Sequence, residues 1–317
     1  MRFALQAEHG EESILVTLVG IDGSSPRALG AQMMVTGDGR FCGSFSGGCV
    51  EAAIVGEALS VLEANQSRVV RFGTGSPYVD IRLPCGGGID LLFTPRPDPG
   101  LLAALVASLD ARRPAAMQIA RDGLSLGDPA EREPQWRGDS FRVAYRPCLR
   151  IMVMGHGDAL TATARLAHFF GAQTRAFSPS VDDVATLSAS GVEASLLTMR
   201  SAMPDLVPDP WTAFAFLFHD HDWEEVMLPW ALTSPHLFVS AIGGQRSRRD
   251  RLEMLRAQGL DDAAIGRLTS PAGLIPATRD PATLALSIVA EIVGTYQEGL
   301  SQTALATPGR QPMPSLL

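Results

Sequence analysis

The first 95 residues alternate short apolar runs with turns of glycine and serine, the pattern of a strand-rich domain. Residues 14–19 (ILVTLV) predict a buried strand that enters the turn Gly20-Ile21-Asp22-Gly23-Ser24-Ser25-Pro26-Arg27. A second strand is expected over Ala31–Thr36, and Gly37-Asp38-Gly39 signals a hairpin into a third, short strand near Arg40–Gly43. The turn Ser46-Gly47-Gly48-Cys49 then opens a helix expected from Val50 to Asn65. Further strands are expected at Arg68–Phe72, Val79–Leu83 and Ile89–Phe93, with Leu83-Pro84-Cys85-Gly86-Gly87-Gly88 between the last two. Residues 1–95 therefore read as a mixed α/β domain.

Between 96 and 147 the periodicity fades. A helix is expected near Leu101–Ala111, and the proline-, arginine- and glutamate-rich stretch around Gly127–Gly138 reads as a linker with one or two peripheral elements. At Leu149 a different pattern begins. Strand LRIMVM, turn Gly155-His156-Gly157, helix Ala159–Phe170 and strand Gln173–Phe177 form a βαβ unit. Strands at Ala213–Phe218 and Leu237–Ala241, the helix Asp222–Leu232 between them, and helices at Arg246–Gln258 and Thr283–Tyr296 extend it. The expectation for 148–300 is a Rossmann-like, doubly wound parallel sheet, followed by a flexible tail over 301–317.

Composition narrows the chemistry more than the fold. All 26 basic side chains are arginine and none is lysine. Without a lysine amine the chain forms no lysine Schiff base, carries no biotinyl or lipoyl group, and holds no lysine-dependent phosphate loop. Codon bias in a GC-rich genome accounts for the absence, and arginine leaves bidentate recognition of phosphate or carboxylate open. A net charge of −8 argues against diffuse attraction to nucleic acid or anionic lipid. No stretch approaches the roughly 18 apolar residues of a membrane span. The amino terminus also lacks a basic leader followed by a hydrophobic core, so a soluble, cytoplasmic protein is expected. Four cysteines, Cys42, Cys49, Cys85 and Cys148, are too few for a disulfide framework and lack the paired spacing of a zinc site.

Three small-residue turns fall at strand ends of the first domain: Gly23–Arg27, Gly43–Glu51 and Cys85–Gly88. Glycine lets a backbone approach a ligand, and serine hydroxyls and free amides then bind oxyanions, best at a helix amino terminus. Cys49 stands at a helix start, where the dipole favours the thiolate, a good ligand for soft metals. Arg27 offers a fork for a phosphate. Hairpin corners with buried thiols account for the same residues equally well.

The strings GSSPRALGAQMMV at 23–35, GSFSGGCVE at 43–51 and LPCGGGIDLL at 83–92 resemble the amino-terminal domain of the XdhC/CoxI family. These are accessory proteins of xanthine dehydrogenase and related molybdenum hydroxylases. HDHDWEEVMLPWAL at 219–232, VSAIGGQRSRRDRLEMLRAQGL at 239–260, SPAGLIPATRDP at 270–281 and ALSIVAEIV at 285–293 are similar to the family's Rossmann domain. The resemblance implies a chaperone that binds the molybdenum cofactor (molybdopterin), protects it, assists its sulfuration and inserts it into an apo molybdenum hydroxylase. It implies a homodimer, with a cysteine desulfurase as a further partner and with neither nucleic acid nor membrane. Cys49 and Cys85 match the family's cysteines and are implied as metal or sulfur contacts. Ser24, Ser25, Arg27, Ser46, Gly47, Gly48, Glu51, Gly86 and Gly87 are implied around the cofactor, whereas Cys42 and Cys148 lie outside the motifs and read as structural.

Two other readings remain: an NAD(P)-dependent oxidoreductase built on the second domain, and a thiol- or metal-sensing interaction protein. Dinucleotide binding wants GxGxxG after the first strand and an acid at the end of the second. Here the third glycine is Leu160, the second strand ends Ala176-Phe177-Ser178-Pro179, and Asp158 places a negative charge at the helix start. NAD(P) is therefore not expected. Gly155 and Gly157, with His219 and Asp220, are the site candidates of this domain, and His156 is expected at the same sheet edge. The string His219-Asp220-His221-Asp222 reads either as part of a metal site or as a turn capped by Asp220 or Asp222. The arginine run 246–256 reads as a solvated helix face, or as a surface for an acidic partner or a phosphate.

Overall fold

The computed structural model describes residues 12–48, 50–76, 86–130, 133–201 and 203–301. The chain divides into two compact units, one ending at Pro147 and the other beginning at Cys148.

The first unit opens with strands β1 (Ser13–Asp22), β2 (Gln32–Thr36) and β3 (Phe41–Cys42), then helix α1 (Glu51–Ala64), β4 (Arg68–Gly73) and β5 (Gly88–Pro95). The strands form an antiparallel sheet in the order β3-β2-β1-β5-β4. β1 is central and buried on both faces. Its alternation sends Ile14, Val16 and Leu18 to the α1 side, where they meet Ile54, Ala58 and Val61, while Leu15 and Val19 point to the other. The expected strand at Val79–Leu83 lies outside the described residues.

The stretch read as a linker is instead a folded layer. Helix α2 (Pro99–Asp110) is followed by β6 (Ala115–Ala120), β7 (Gly123–Leu126), β8 (Gln135–Arg137) and β9 (Ser140–Tyr145), a four-stranded sheet in the order β7-β6-β9-β8. Leu102, Leu105, Met117, Ile119, Phe141 and Val143 cover Leu15, Val19, Met34 and Leu92 on the second face of the large sheet. The strands are short and their connections polar, so period-2 alternation has too few residues to declare itself. Asp98 caps α2 by accepting from the amide of Gly100 at 2.8 Å.

The second unit runs β10 (Arg150–Gly155), α3 (Gly157–Phe169), β11 (Gln173–Ser178), α4 (Val181–Ala189), β12 (Glu193–Leu196) and β13 (Thr212–Leu217). A 3₁₀ turn (His221–Trp223), α5 (Glu224–Thr233), β14 (Phe238–Ala241), α6 (Gln245–Ala257), α7 (Asp262–Ile265), β15 (Leu268–Thr269) and α8 (Pro281–Ser301) complete it. All six strands are parallel, in the order β12-β11-β10-β13-β14-β15. This is the doubly wound Rossmann arrangement, with its topological switch between β10 and β13.

Side-chain size separates the two faces. Ile151, Val153, Ala213, Ala215 and Leu217 face Leu160, Ala164, Ala167 and Ile288 of α3 and α8, where alanines allow close approach. Met152, Met154, Phe214, Phe216 and Phe218 face Met227, Leu228 and Leu255 of α5 and α6. Each fully buried phenylalanine stabilises the fold by about 1.5–3 kcal/mol relative to exposure. No helix among the described residues is long and apolar enough to cross a membrane.

Candidate functional site

Antiparallel pairing brings the three small-residue turns to one end of the first sheet. Asp22 at the end of β1 pairs with Gly88 at the start of β5, so the turn after β1 lies against Gly86–Gly88. A Cβ on Gly87 would sit 2.6 Å from the carbonyl oxygen of Asp22, which requires glycine there. Arg27 then joins the first turn to the second by donating from Nε to the carbonyl of Ser44 at 2.9 Å. Its backbone amide donates to Ser25 Oγ at 3.2 Å, and its two terminal nitrogens make no ion pair among the described residues.

Arg71 ties the other side. Its Nε donates to the carbonyl of Thr74 at 2.7 Å, and its terminal nitrogens pair with Asp22 at 2.5 Å and buried Asp90 at 3.2 Å. Thr74 Oγ1 donates to the carbonyl of Gly86 at 2.9 Å. This brace fixes the edge on which Gly86 and Gly87 sit. Sequence reading missed it because Arg71 and Asp90 lie on separate strands.

The second turn is built around one carboxylate. Glu51, the first residue of α1, is buried and turns its side chain back into the loop before it. Oε1 accepts from Ser44 Oγ at 2.8 Å, the amide of Phe45 at 3.0 Å and the amide of Ser46 at 2.8 Å. Oε2 accepts from Ser46 Oγ at 2.6 Å and from the amides of Gly48 at 2.8 Å and Val50 at 3.2 Å. Burial alone would raise the pKa of Glu51. The hydrogen bonds from Ser46, Ser44 and Phe45 overrule it and hold the carboxyl well below its ordinary range.

Gly47, whose amide donates to Ser44 Oγ at 2.9 Å, and Gly48 both have positive φ, and a Cβ on either would meet open space. Glycine is needed there for the backbone conformation and not for packing. Cys49 and Cys85 lie outside the described residues. Cys42 and Cys148, expected to be structural, are both exposed; Cys42 sits on the two-residue edge strand β3, which buries neither side chain.

In the second unit the switch between β10 and β13 gathers the residues expected there. His156 and His219 face each other edge-on with ring centroids 5.6 Å apart, and His156 also meets Phe218, which stacks on Trp223. Gly155 permits β10 to run beside β13: a Cβ there would stand 2.6 Å from the carbonyl oxygen of Leu217. Of the two readings of residues 219–222, the capped turn is the one observed. Asp220 accepts from the amide of Asp222 at 3.1 Å, and Arg200 pairs with Asp220 at 3.1 Å and with Asp222. Among the described residues no group of three or more His, Cys, Asp or Glu side chains is placed to hold a metal ion.

The turn where a dinucleotide phosphate would sit holds a carboxylate of the chain. Asp183 Oδ2 accepts from the amide of Gly157 at 2.8 Å and from Ser178 Oγ at 2.8 Å. Leu160, in the place of the third glycine, is fully buried. One arginine of the 246–256 run departs from the solvated reading. Arg251 is buried with Glu224: Nε donates to Oε2 at 2.6 Å and one terminal nitrogen to Oε1 at 2.9 Å. His221 Nδ1 lies 3.1 Å from the same Oε2, and Arg251 also reaches Ser270 Oγ at 3.4 Å. The sequence signal was available, since Arg251 and Leu255 share one helix face. Arg246, Arg248 and Arg249 are exposed, as a solvated face requires.

With this geometry in place, comparison with known proteins adds the lineage. Residues 6–73 match the XdhC and CoxI family, and residues 151–292 match the XdhC Rossmann domain. The chain is 35% identical over 302 residues to the molybdenum cofactor insertion chaperone PaoD of Escherichia coli strain K12, covering 94% of this chain and 89% of that protein. The chain belongs to the XdhC and CoxI family. A more distant relative within reach of the family's sequence is the uncharacterized protein YqeB of the same organism. The two are 22% identical over 285 residues, which cover 88% of this chain and 42% of YqeB. Among solved structures, a crystal structure described as a xanthine dehydrogenase from Bacillus halodurans matches with a TM-score of 0.74 at 19% identity, over 96% of both chains. At that identity the likeness speaks for a shared fold, and XdhC-type architecture accounts for both units.

Proposed function

We propose that this XdhC-family chain carries the molybdenum cofactor: it binds molybdopterin in its first unit, protects it, assists its sulfuration and inserts it into an apo-hydroxylase of the xanthine dehydrogenase type. The observation that carries this reading is the identity to a molybdenum cofactor insertion chaperone along 94% of the chain. The turn geometry supports it. A phosphorylated pterin dithiolene needs a cation for its phosphate and polar groups for its ring edges. The first unit offers the fork of Arg27, which makes no ion pair among the described residues, in the same turn as Ser24 and Ser25, and Ser46, Gly47 and Gly48 in the turn it reaches through Ser44.

Cys49 and Cys85 would supply soft sulfur contacts to the molybdenum, as thiolates suit such a metal. The second unit's edge, with Gly155, Gly157, His219 and Asp220, is the second candidate contact for the cargo or the client. In this reading the chain binds and hands over without turnover, acts in the cytoplasm as a homodimer, and receives sulfur from a cysteine desulfurase.

The test is direct. The full chain, produced in cells with an intact cofactor pathway and purified, is oxidised, and the fluorescence of the released pterin is measured. Near-stoichiometric pterin supports the carrier; pterin at background level refutes it.

A further inference from the structure

The loop between β3 and α1 has the composition of an anion cradle, yet the anion is already there. Five amides, of residues 45, 46, 47, 48 and 50, point inward, and four of them end on Glu51 while that of Gly47 ends on Ser44 Oγ. Each oxygen of Glu51 accepts three hydrogen bonds, all from neutral donors. Among the described residues, Arg27 reaches the loop through the carbonyl of Ser44. Phe45, buried to 1% exposure, pins the loop to the core, so the cradle cannot swing open as a rigid flap.

We infer that Glu51 is a resident anion that shapes the loop before any cargo arrives and excludes foreign oxyanions from it. The carboxylate fills the position an external phosphate would take. A phosphate entering the cradle would meet a charge of its own sign and find its donors spent. Glu51 is thus a positioning and specificity-determining residue. It holds the peptide N–H groups of Gly48 and Val50 on a single oxygen, Oε2, and leaves the exposed glycine surface to neutral contacts. The anionic end of a ligand is left to Arg27. As a statement about cargo this rests on the carrier reading above; as a statement about the loop it does not.

The experiment therefore uses the full chain free of pterin and reads the loop alone, by hydrogen exchange of peptides spanning residues 44–51 and by the thermal midpoint. Glu51→Ala vacates the cradle. The expected result is exchange faster by at least about tenfold in those peptides, as several hydrogen bonds are lost together. Formate at tens of millimolar then restores protection, and chloride at equal ionic strength does not. In the unsubstituted protein neither formate nor inorganic phosphate changes protection of these peptides. Failure of formate to do better than chloride overturns the inference, and so does protection of the unsubstituted loop by phosphate.

Glu51→Gln keeps the proposal testable if the alanine variant does not fold, because an amide supplies one acceptor and, whichever way it is turned, forces a donor against two backbone N–H groups, those of Phe45 and Ser46 or those of Gly48 and Val50. The Glu51→Gln peptides spanning residues 44–51 are expected to exchange faster than those of the unsubstituted protein, with a lower thermal midpoint; exchange and midpoint equal to those of the unsubstituted protein overturn the assignment. Background pterin in the purified chain would sink the carrier reading and leave this one standing.

Discussion

Removing the arginine of the Glu224–Arg251 pair tests how the second unit is held. Both side chains are 0% exposed, and the guanidinium spans both carboxylate oxygens at 2.6 and 2.9 Å. Arg251→Met keeps most of the apolar volume but strands a buried carboxylate whose remaining side-chain partner among the described residues is His221 at 3.1 Å. Breaking a buried pair in this way costs about 3–5 kcal/mol, because desolvation of the remaining charge is no longer offset. The double substitution Glu224→Leu with Arg251→Met removes both charges. It should recover most of that loss, since a well-packed apolar replacement of a buried ion pair is often neutral or stabilising by about 1–4 kcal/mol.

Urea unfolding followed by tryptophan fluorescence is suited to the measurement, because Trp211, Trp223 and Trp230 all lie in the second unit. With a slope of about 1–3 kcal/mol per molar urea, the single variant should move the midpoint down by at least about 1 M. The two single variants and the double variant form a cycle whose coupling is expected to be at least about 2 kcal/mol. A loss below about 1 kcal/mol for Arg251→Met with an unchanged slope would refute the reasoning. It would mean that water or a neighbouring group reaches Glu224 once the arginine is gone.

Three further outcomes follow from the geometry. Gly155→Ala places a Cβ 2.6 Å from backbone atoms of β13 and should cost about 1–3 kcal/mol by urea unfolding; a neutral result would show that β10 and β13 separate easily. Calorimetric titration with NADH and NADPH should give no micromolar binding, because Asp183 already holds the amide of Gly157; heats that saturate at micromolar ligand would contradict this. Cys49→Ala should leave the circular dichroism spectrum unchanged and bring pterin content to background, and a variant with full occupancy would remove Cys49 from the cofactor site.

The strands and helices with strong periodicity were legible in the sequence. β10, β13 and α1 fall within a residue of expectation, β1 runs three residues past its expected end, through Gly20-Ile21-Asp22, and the Rossmann pattern of β10, α3 and β11 was readable from one turn and its flanking runs. The layer formed by α2 and β6–β9 was not. Its strands run from three to six residues, and their burial shows only against the first sheet, a contact that local sequence cannot display. The same holds for the paired charges. Arg71 with Asp90, and Arg251 with Glu224, come together across 19 and 27 positions, and no local pattern encodes such partners.

The turns themselves were found by composition, but what fills them was not. Small residues and free amides gather at the start of α1, which reads as a seat for a ligand's oxyanion, and at the start of α3, which reads as a dinucleotide turn lacking its third glycine and its acid. In each, the chain's own carboxylate is seated instead: Glu51 with six hydrogen bonds, Asp183 with the amide of Gly157 and the hydroxyl of Ser178. Sequence gives no warning, because a glutamate at the first helical position and an aspartate in the first turn are ordinary stabilisers of a helix dipole. The consequence bears on a chain with 26 arginines and no lysine. With its backbone cradles self-filled, the proposed recognition of a ligand's phosphate falls to arginine, and in the first unit Arg27 joins the turns with a fork that makes no ion pair among the described residues.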